Sequence, residues 1–103
     1  MKNNKNKYDV CVIGGAGHVG APLSIVMAKI GMRVLVYDLN KSTMDQLQQG
    51  NMPFFEEGAE PLLKEVLSQG RLGFTSDVSE LANIQIRILE LNLCTGRKNN
   101  STK

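Results

Sequence analysis

An apolar run that breaks into clustered glycines and then resumes as a helix pattern leaves a chain few folds to adopt. Residues 10–20, Val-Cys-Val-Ile-Gly-Gly-Ala-Gly-His-Val-Gly, have that form. Gly15, Gly17 and Gly20 spell G-x-G-x-x-G, and each glycine has its own physical task. Gly15 lets the chain turn sharply off a strand, Gly17 removes a Cβ where a pyrophosphate must approach, and Gly20 lets helix and strand pack closely. An anion then rests on free N–H groups at a helix N-terminus. His18, the lone histidine, lies inside this turn. Backbone does the binding there, so its imidazole is expected to pack or face solvent rather than act as acid or base.

The context strengthens the motif. A second apolar run, residues 33–37, ends in Asp38, eighteen residues beyond Gly20. A carboxylate at that strand tip accepts bonds from both adenosine ribose hydroxyls and repels a 2′-phosphate, which favours NAD over NADP. Lys41 lies near enough in sequence to reach the adenosine end of such a cofactor. A solvated first-turn lysine is its equal alternative.

The rest of the chain reads as alternating strands and helices, an α/β pattern with a parallel sheet. Residues 8–13 form a continuous apolar strand. The helix behind it presents Val19, Leu23, Met27 and Ile30, tolerates Pro22 in its first turn, and stops at Gly31. Residues 34–37 are the second strand, and Asn40 N-caps a helix carrying Met44 and Leu47 as far as Gly50. Residues 51–58 make a loop with two adjacent aromatics, Phe54 and Phe55, that need covering. A further helix runs from residue 60 or 61 to about 69, with Leu62, Leu63, Val66 and Leu67 on one face and Gly70 as its stop. Glu56, Glu57 and Glu60 are read as helix-dipole partners and solvated charges. Residues 72–75 form a third strand, and Asp77 with Glu80 has capping-box spacing for a short helix through Leu81. Ile84, Ile86, Ile88, Leu89, Leu91 and Leu93 then alternate, in two phases, with Gln85, Arg87, Glu90 and Asn92. That period of two predicts a half-exposed strand, whereas a fourth doubly wound strand is apolar on both faces.

Composition bounds what such a chain does. At 103 residues it is at most one domain, shorter than the two βαβαβ halves of a complete dinucleotide-binding domain, so an incomplete Rossmann-type doubly wound sheet is expected over residues 8–93. Residues 1–7 and 94–103 read as disordered tails. The net charge of +2 is concentrated in those tails; between residues 8 and 93 six basic and ten acidic residues leave −4. The body therefore offers no basic face for nucleic acid. No run reaches membrane-spanning length, and the lysine-rich start has no apolar segment of signal-peptide form behind it, so a cytoplasmic location without membrane association is expected. Cys11 and Cys94 fit neither a metal site nor a redox motif; Cys11, between Val10 and Val12, reads as a small buried hydrophobe.

Three segments together, residues 12–22, Tyr37-Asp-Leu-Asn-Lys41 and Gly50-Asn-Met-Pro-Phe-Phe-Glu-Glu-Gly58, resemble the N-terminal part of the UDP-glucose/UDP-N-acetylmannosamine dehydrogenase family. The third discriminates: the family has a P-[FIY]-x-E-P-G loop leading into a Leu-rich helix, then a short strand and a T-x-D turn, here Phe74-Thr-Ser-Asp77. The resemblance implies NAD as cofactor, with Gly15, Ala16, Gly17, His18, Val19 and Gly20 lining its pyrophosphate and Asp38 holding the adenosine ribose. It implies a parent reaction in which the C6 alcohol of a nucleotide sugar is oxidised to a carboxylate by two NAD molecules, the sugar being bound only by the full-length parent. Glu57 stands at the loop proline, Ala21 and Ala59 replace usual leucines, and Thr43 replaces a residue that is often basic and touches the adenosine. The family's catalytic lysine, asparagine and nucleophilic cysteine have no counterpart, and Cys94 does not sit in that cysteine's motif. The resemblance extends over residues 8–83. Its loss after Ala82, followed by a polar tail, suggests a shifted reading frame past Asn83. The alternatives are a stand-alone nucleotide-binding or regulatory module and a piece of a hydroxyacyl-CoA or 6-phosphogluconate type dehydrogenase.

Overall fold

The structure is a computed structural model that describes residues 7–89. Four short strands, β1 (Val10–Ile13), β2 (Val34–Tyr37), β3 (Leu72–Thr75) and β4 (Ile86–Leu89), form one parallel sheet in the order β3-β2-β1-β4. Helix α1 (Gly20–Lys29) links β1 to β2, while α2 (Lys41–Gln48) and α3 (Ala59–Ser68) both lie between β2 and β3. A 3-10 helix, Val78–Leu81, leads towards β4. This strand order is that of the first half of a Rossmann sheet plus the strand that begins the second half. The expected tails, residues 90–93 of the last strand and Cys94 fall outside the described residues, except Lys7, which is exposed.

Parallel register decides which side chain faces which layer. Val10↔Val34↔Leu72 and Val12↔Val36↔Phe74 are aligned across β1, β2 and β3. These residues meet Ile25 and Ala28 of α1, Met44 and Leu47 of α2, and Leu63 and Val66 of α3 in one core, so all three helices cover the same face. The alternate residues point the other way: Cys11 and Leu35 pack with Leu81, Ile84 and, at the margin, Tyr8, Ile13 and Tyr37. Val, Leu and Ile on both faces of β1 and β2 are what a twice-covered parallel strand requires.

Turn chemistry ends the helices as their sequences predict. Gly31, Gly50 and Gly70 all have positive φ just beyond α1, α2 and α3, a conformation that costs glycine little. Asn40 caps α2 through Oδ1, which accepts the Thr43 N–H at 3.1 Å. Asp77 N-caps the 3-10 helix, but its partner is Ser79, whose N–H and hydroxyl both donate to Asp77 Oδ1. The Asp77 N–H donates to Thr75 Oγ1 instead of to Glu80, so the expected capping box is not closed.

The inward face of α1 differs from its predicted face. Val19 and Ile30 are 48% and 73% exposed, and the residues against the sheet are Ala21, Ser24, Ile25 and Ala28, with Met27. Close approach explains the rotation. A helix seated on glycines takes small side chains, here Ala21, Ser24 and Ala28, at its tightest contacts, with Ile25 and Met27 as the larger residues buried beside them. Ser24 adds little bulk and donates its hydroxyl to the Gly20 carbonyl at 2.7 Å.

Strand β4 is half exposed, but not strictly by its alternation: Ile86, in the apolar phase, is 53% exposed at the sheet edge, whereas Ile88 leans on the helix-side core. It nevertheless takes the fourth position of the sheet, paired with β1 from Val10↔Ile86 to Ile13↔Leu89. Its charge is satisfied locally. The Arg87 guanidinium donates to the carbonyls of Ile84 (3.0 Å) and Leu81 (3.1 Å), capping the end of the 3-10 segment. A polar residue is thus accommodated on a face that usually carries apolar ones.

Candidate functional site

At the C-terminal ends of β1 and β2 the chain makes two tight departures that face one another. Gly14 takes φ = 85°, so the left-handed residue of the first turn is Gly14 and not Gly15. Gly15 serves packing instead: a Cβ there would lie 2.9 Å from both the Val12 carbonyl oxygen and Val36 Cγ1. Gly20 matches its predicted task, since a Cβ would collide with the Gly14 carbonyl oxygen and stand 2.8 Å from Gly15 Cα. The turn is pinned to β2 by the Gly14 N–H, which donates to the Tyr37 carbonyl at 2.7 Å.

This folding leaves donors open. The Gly17 N–H is bonded to the Gly14 carbonyl, but the N–H groups of His18, Val19 and Gly20 have no acceptor among the described residues. No side chain caps α1 at Val19 either. Three unfilled donors at the positive end of a ten-residue helix form a receptor for an anion.

Asp38 closes the other side. Its Oδ2 accepts the Ala16 N–H at 3.0 Å and its Oδ1 accepts the Asn40 N–H at 3.0 Å. A carboxylate has about four acceptor sites, so two backbone bonds orient the group and leave two sites for a vicinal diol. Between turn and carboxylate lies a cavity of about 400 Å³ lined by Gly14, Ala16, Gly17, His18, Asp38, Asn40, Thr43 and Phe54. The residues present therefore fit a dinucleotide: open N–H donors for its diphosphate and a poised carboxylate for a ribose.

Of the residues singled out in the sequence, Ala16, Gly17, His18 and Asp38 line this cavity. Val19 and Gly20 follow His18 in the chain but do not line it, and Gly15 is packed against Val12, Val36 and Ser24. Lys41 stands apart, exposed on a neighbouring hollow with Asp45, Gln48 and Ser76. Asn40 and Thr43 entered the sequence reading as a cap and a departure, not as cavity walls; Thr43 is held by its own N–H and hydroxyl bonds to Asn40. Phe54 was the residue missed. It is half-buried and its ring stacks on His18, while Phe55 is 88% exposed and stays uncovered. Nothing in the local pattern ties residue 54 to residue 18; only the tertiary path of the loop does.

The remaining reactive groups are elsewhere. Cys11 is buried in β1, and loss of solvation pushes its thiol up to about 11, which makes it inert. Among the described residues there is no cluster of metal-ligating side chains and no helix long and apolar enough to cross a membrane.

Comparison with known proteins agrees with the geometry. Residues 8–101 match the family model described as the UDP-glucose/GDP-mannose dehydrogenase family, NAD binding domain. The family match runs past Ala82, where the resemblance was expected to end. A UDP-glucose 6-dehydrogenase of Pseudomonas aeruginosa is 35% identical over 75% of this chain and 17% of its own length. A UDP-N-acetyl-D-mannosamine dehydrogenase of Pyrococcus horikoshii is 32% identical over 73% of this chain and 18% of its own. Among solved structures, a GDP-mannose dehydrogenase from Pseudomonas aeruginosa superposes with a TM-score of 0.76 at 26% identity, covering 82% of this chain and 19% of that one. The chain thus spans less than a quarter of the length of each of these proteins. The match decides for nucleotide-sugar dehydrogenases over the hydroxyacyl-CoA and 6-phosphogluconate types. With a Rossmann strand order, open donors at the glycine turn and a family match over residues 8–101, the chain belongs to the UDP-glucose/GDP-mannose dehydrogenase family, of which it carries the NAD binding domain.

Proposed function

We propose that this chain holds NAD for a nucleotide-sugar 6-dehydrogenase and has no turnover of its own. The observation that carries this reading is one cavity lined by both His18, first of three consecutive residues with open N–H groups, and the backbone-oriented Asp38 carboxylate. Gly15, Ala16, Gly17, His18, Val19 and Gly20 serve the diphosphate, the glycines by letting backbone come close. Asp38 takes the adenosine ribose hydroxyls and disfavours a 2′-phosphate by charge. Lys41 serves the outer, adenosine end from its neighbouring hollow. NAD, when bound, supplies the hydride acceptor; these residues only bind and orient it. In the whole dehydrogenase the substrate is a nucleotide sugar oxidised at C6 to the carboxylate, as the names of the relatives suggest. The working unit is the partial Rossmann domain of residues 8–93, in the cytoplasm.

Titration of the purified chain with NAD and NADP, followed by calorimetry, tests this. NAD is expected to bind in roughly the millimolar range and at least about tenfold more tightly than NADP, equivalent to about 1.4 kcal/mol. Equal affinities overturn the assignment of Asp38. NADH formed from UDP-glucose, and lost in an Asp38 variant, overturns the absence of turnover.

A further inference from the structure

Phe54 enters the cavity from the 51–58 connection rather than from the strand ends that supply the other binding groups. Its ring lies on the His18 imidazole with centroids 4.3 Å apart and planes 23° from parallel. His18 directly follows Gly17 and carries one of the three open N–H groups. A turn built from Gly14, Gly15, Gly17 and Gly20 has little side-chain mass to restrict it, and glycine has the most backbone freedom to lose. The stack provides the restriction that the glycines lack.

Phe54 is itself anchored. It packs, half-buried, against the helix-side core together with Met52. The Met52 N–H donates to Glu60 Oε2 at 2.9 Å, and Glu60 lies in the first turn of α3. The loop is therefore tied to α3 at Met52, two residues before the ring that meets His18.

We propose that Phe54 is a positioning residue for the cofactor: by clasping His18 it holds the N–H groups of residues 18–20 in their diphosphate-accepting arrangement, so the 51–58 loop sets NAD affinity. This inference rests on the cofactor assignment above. Phe54→Leu keeps an apolar side chain against the core and removes the stack, and His18→Ala removes the stack from its exposed side. Phe55→Leu, next door and uncovered, is the control.

The experiment is a double-mutant cycle on the full chain, read by amide and ring-proton NMR during NAD titration. In the ligand-free wild type the His18 ring protons are expected upfield of an unstacked imidazole, and Phe54→Leu abolishes that displacement. Phe54→Leu and His18→Ala each weaken NAD binding between about twofold and tenfold, the range of a stacked aromatic pair. The double variant is no weaker than either single one, because both remove the same contact. Phe55→Leu changes nothing. Phe54→Leu binding NAD as the wild type does, or costing the same factor again in the His18→Ala background, overturns the clasp alone. A wild type that shows no response to NAD overturns the cofactor assignment and the clasp with it.

Discussion

Removing the Asp38 carboxylate separates its role in the fold from the one proposed for it in ligand choice. Asp38 Oδ2 is the acceptor of the Ala16 N–H, and Ala16 is buried. In Asp38→Ala that N–H is left without a partner inside the protein, at a cost of about 1–3 kcal/mol. The second bond, from Asn40, is exposed, so water replaces it and it adds little. A destabilisation of about 1–3 kcal/mol is therefore expected in urea unfolding followed by circular dichroism, with an unchanged slope. Asp38→Asn, which keeps one acceptor oxygen, recovers part of that loss but has no charge to set against a 2′-phosphate. Both variants are thus expected to bind NAD and NADP alike, whereas only the alanine variant loses the full stability increment. An Asp38→Ala chain with the wild-type urea midpoint would refute the buried-donor reasoning. One that still discriminates against NADP would show that selectivity comes from elsewhere in the cavity.

Two further perturbations test the packing and the electrostatics. Gly20→Ala forces a Cβ into the Gly14 carbonyl and Gly15 Cα, backbone atoms that cannot swing away, so about 1–3 kcal/mol of stability and the NAD response are expected to be lost together; an unaltered urea midpoint contradicts this. Asp9 accepts both the side chain and the backbone N–H of Arg33, and these bonds hold its carboxyl below the ordinary carboxylate value. A lowered folded-state value means that the stabilisation is complete above about pH 4, the unfolded-state value, and is lost as the pH falls through the lowered one. Asp9→Asn should flatten the acid limb of the stability profile by a small, exposed-pair increment of about 0.2–1 kcal/mol, and a limb of unchanged slope excludes the pair as its source.

The elements that could be read in advance are those whose cause is local. Gly31, Gly50 and Gly70 stop their helices where their position in the pattern says, and Asn40 caps α2, because a helix end is decided by residues within one turn of it. Asp38 was legible for a related reason: strand, glycine turn, helix and second strand are a fixed-length unit, so its carboxylate must arrive near the turn. The misreadings have non-local causes. The α1 stripe Val19, Leu23, Met27 and Ile30 has helical spacing, yet only Met27 is buried and Leu23 packs at the margin of the core, because the separation of helix and strand is decided by Gly15 against Val36 and Ser24 and by Gly20 against Gly14 and Gly15. Arg87 conflicts with a fourth parallel strand on pattern alone, and the carbonyls of Leu81 and Ile84, brought within its reach by the 3-10 segment, resolve the conflict.

The order of strands and helices, the glycine turn and the arrival of Asp38 beside it were therefore determined by the sequence alone, since each depends on periodicity and spacing along the chain. The tertiary structure decided that β4 lies beside β1, that Gly14 rather than Gly15 takes the left-handed turn, that Lys41 stands outside the Asp38 cavity, and that Phe54 reaches His18. These depend on which distant segments share one volume, and close packing, not local preference, settles that competition.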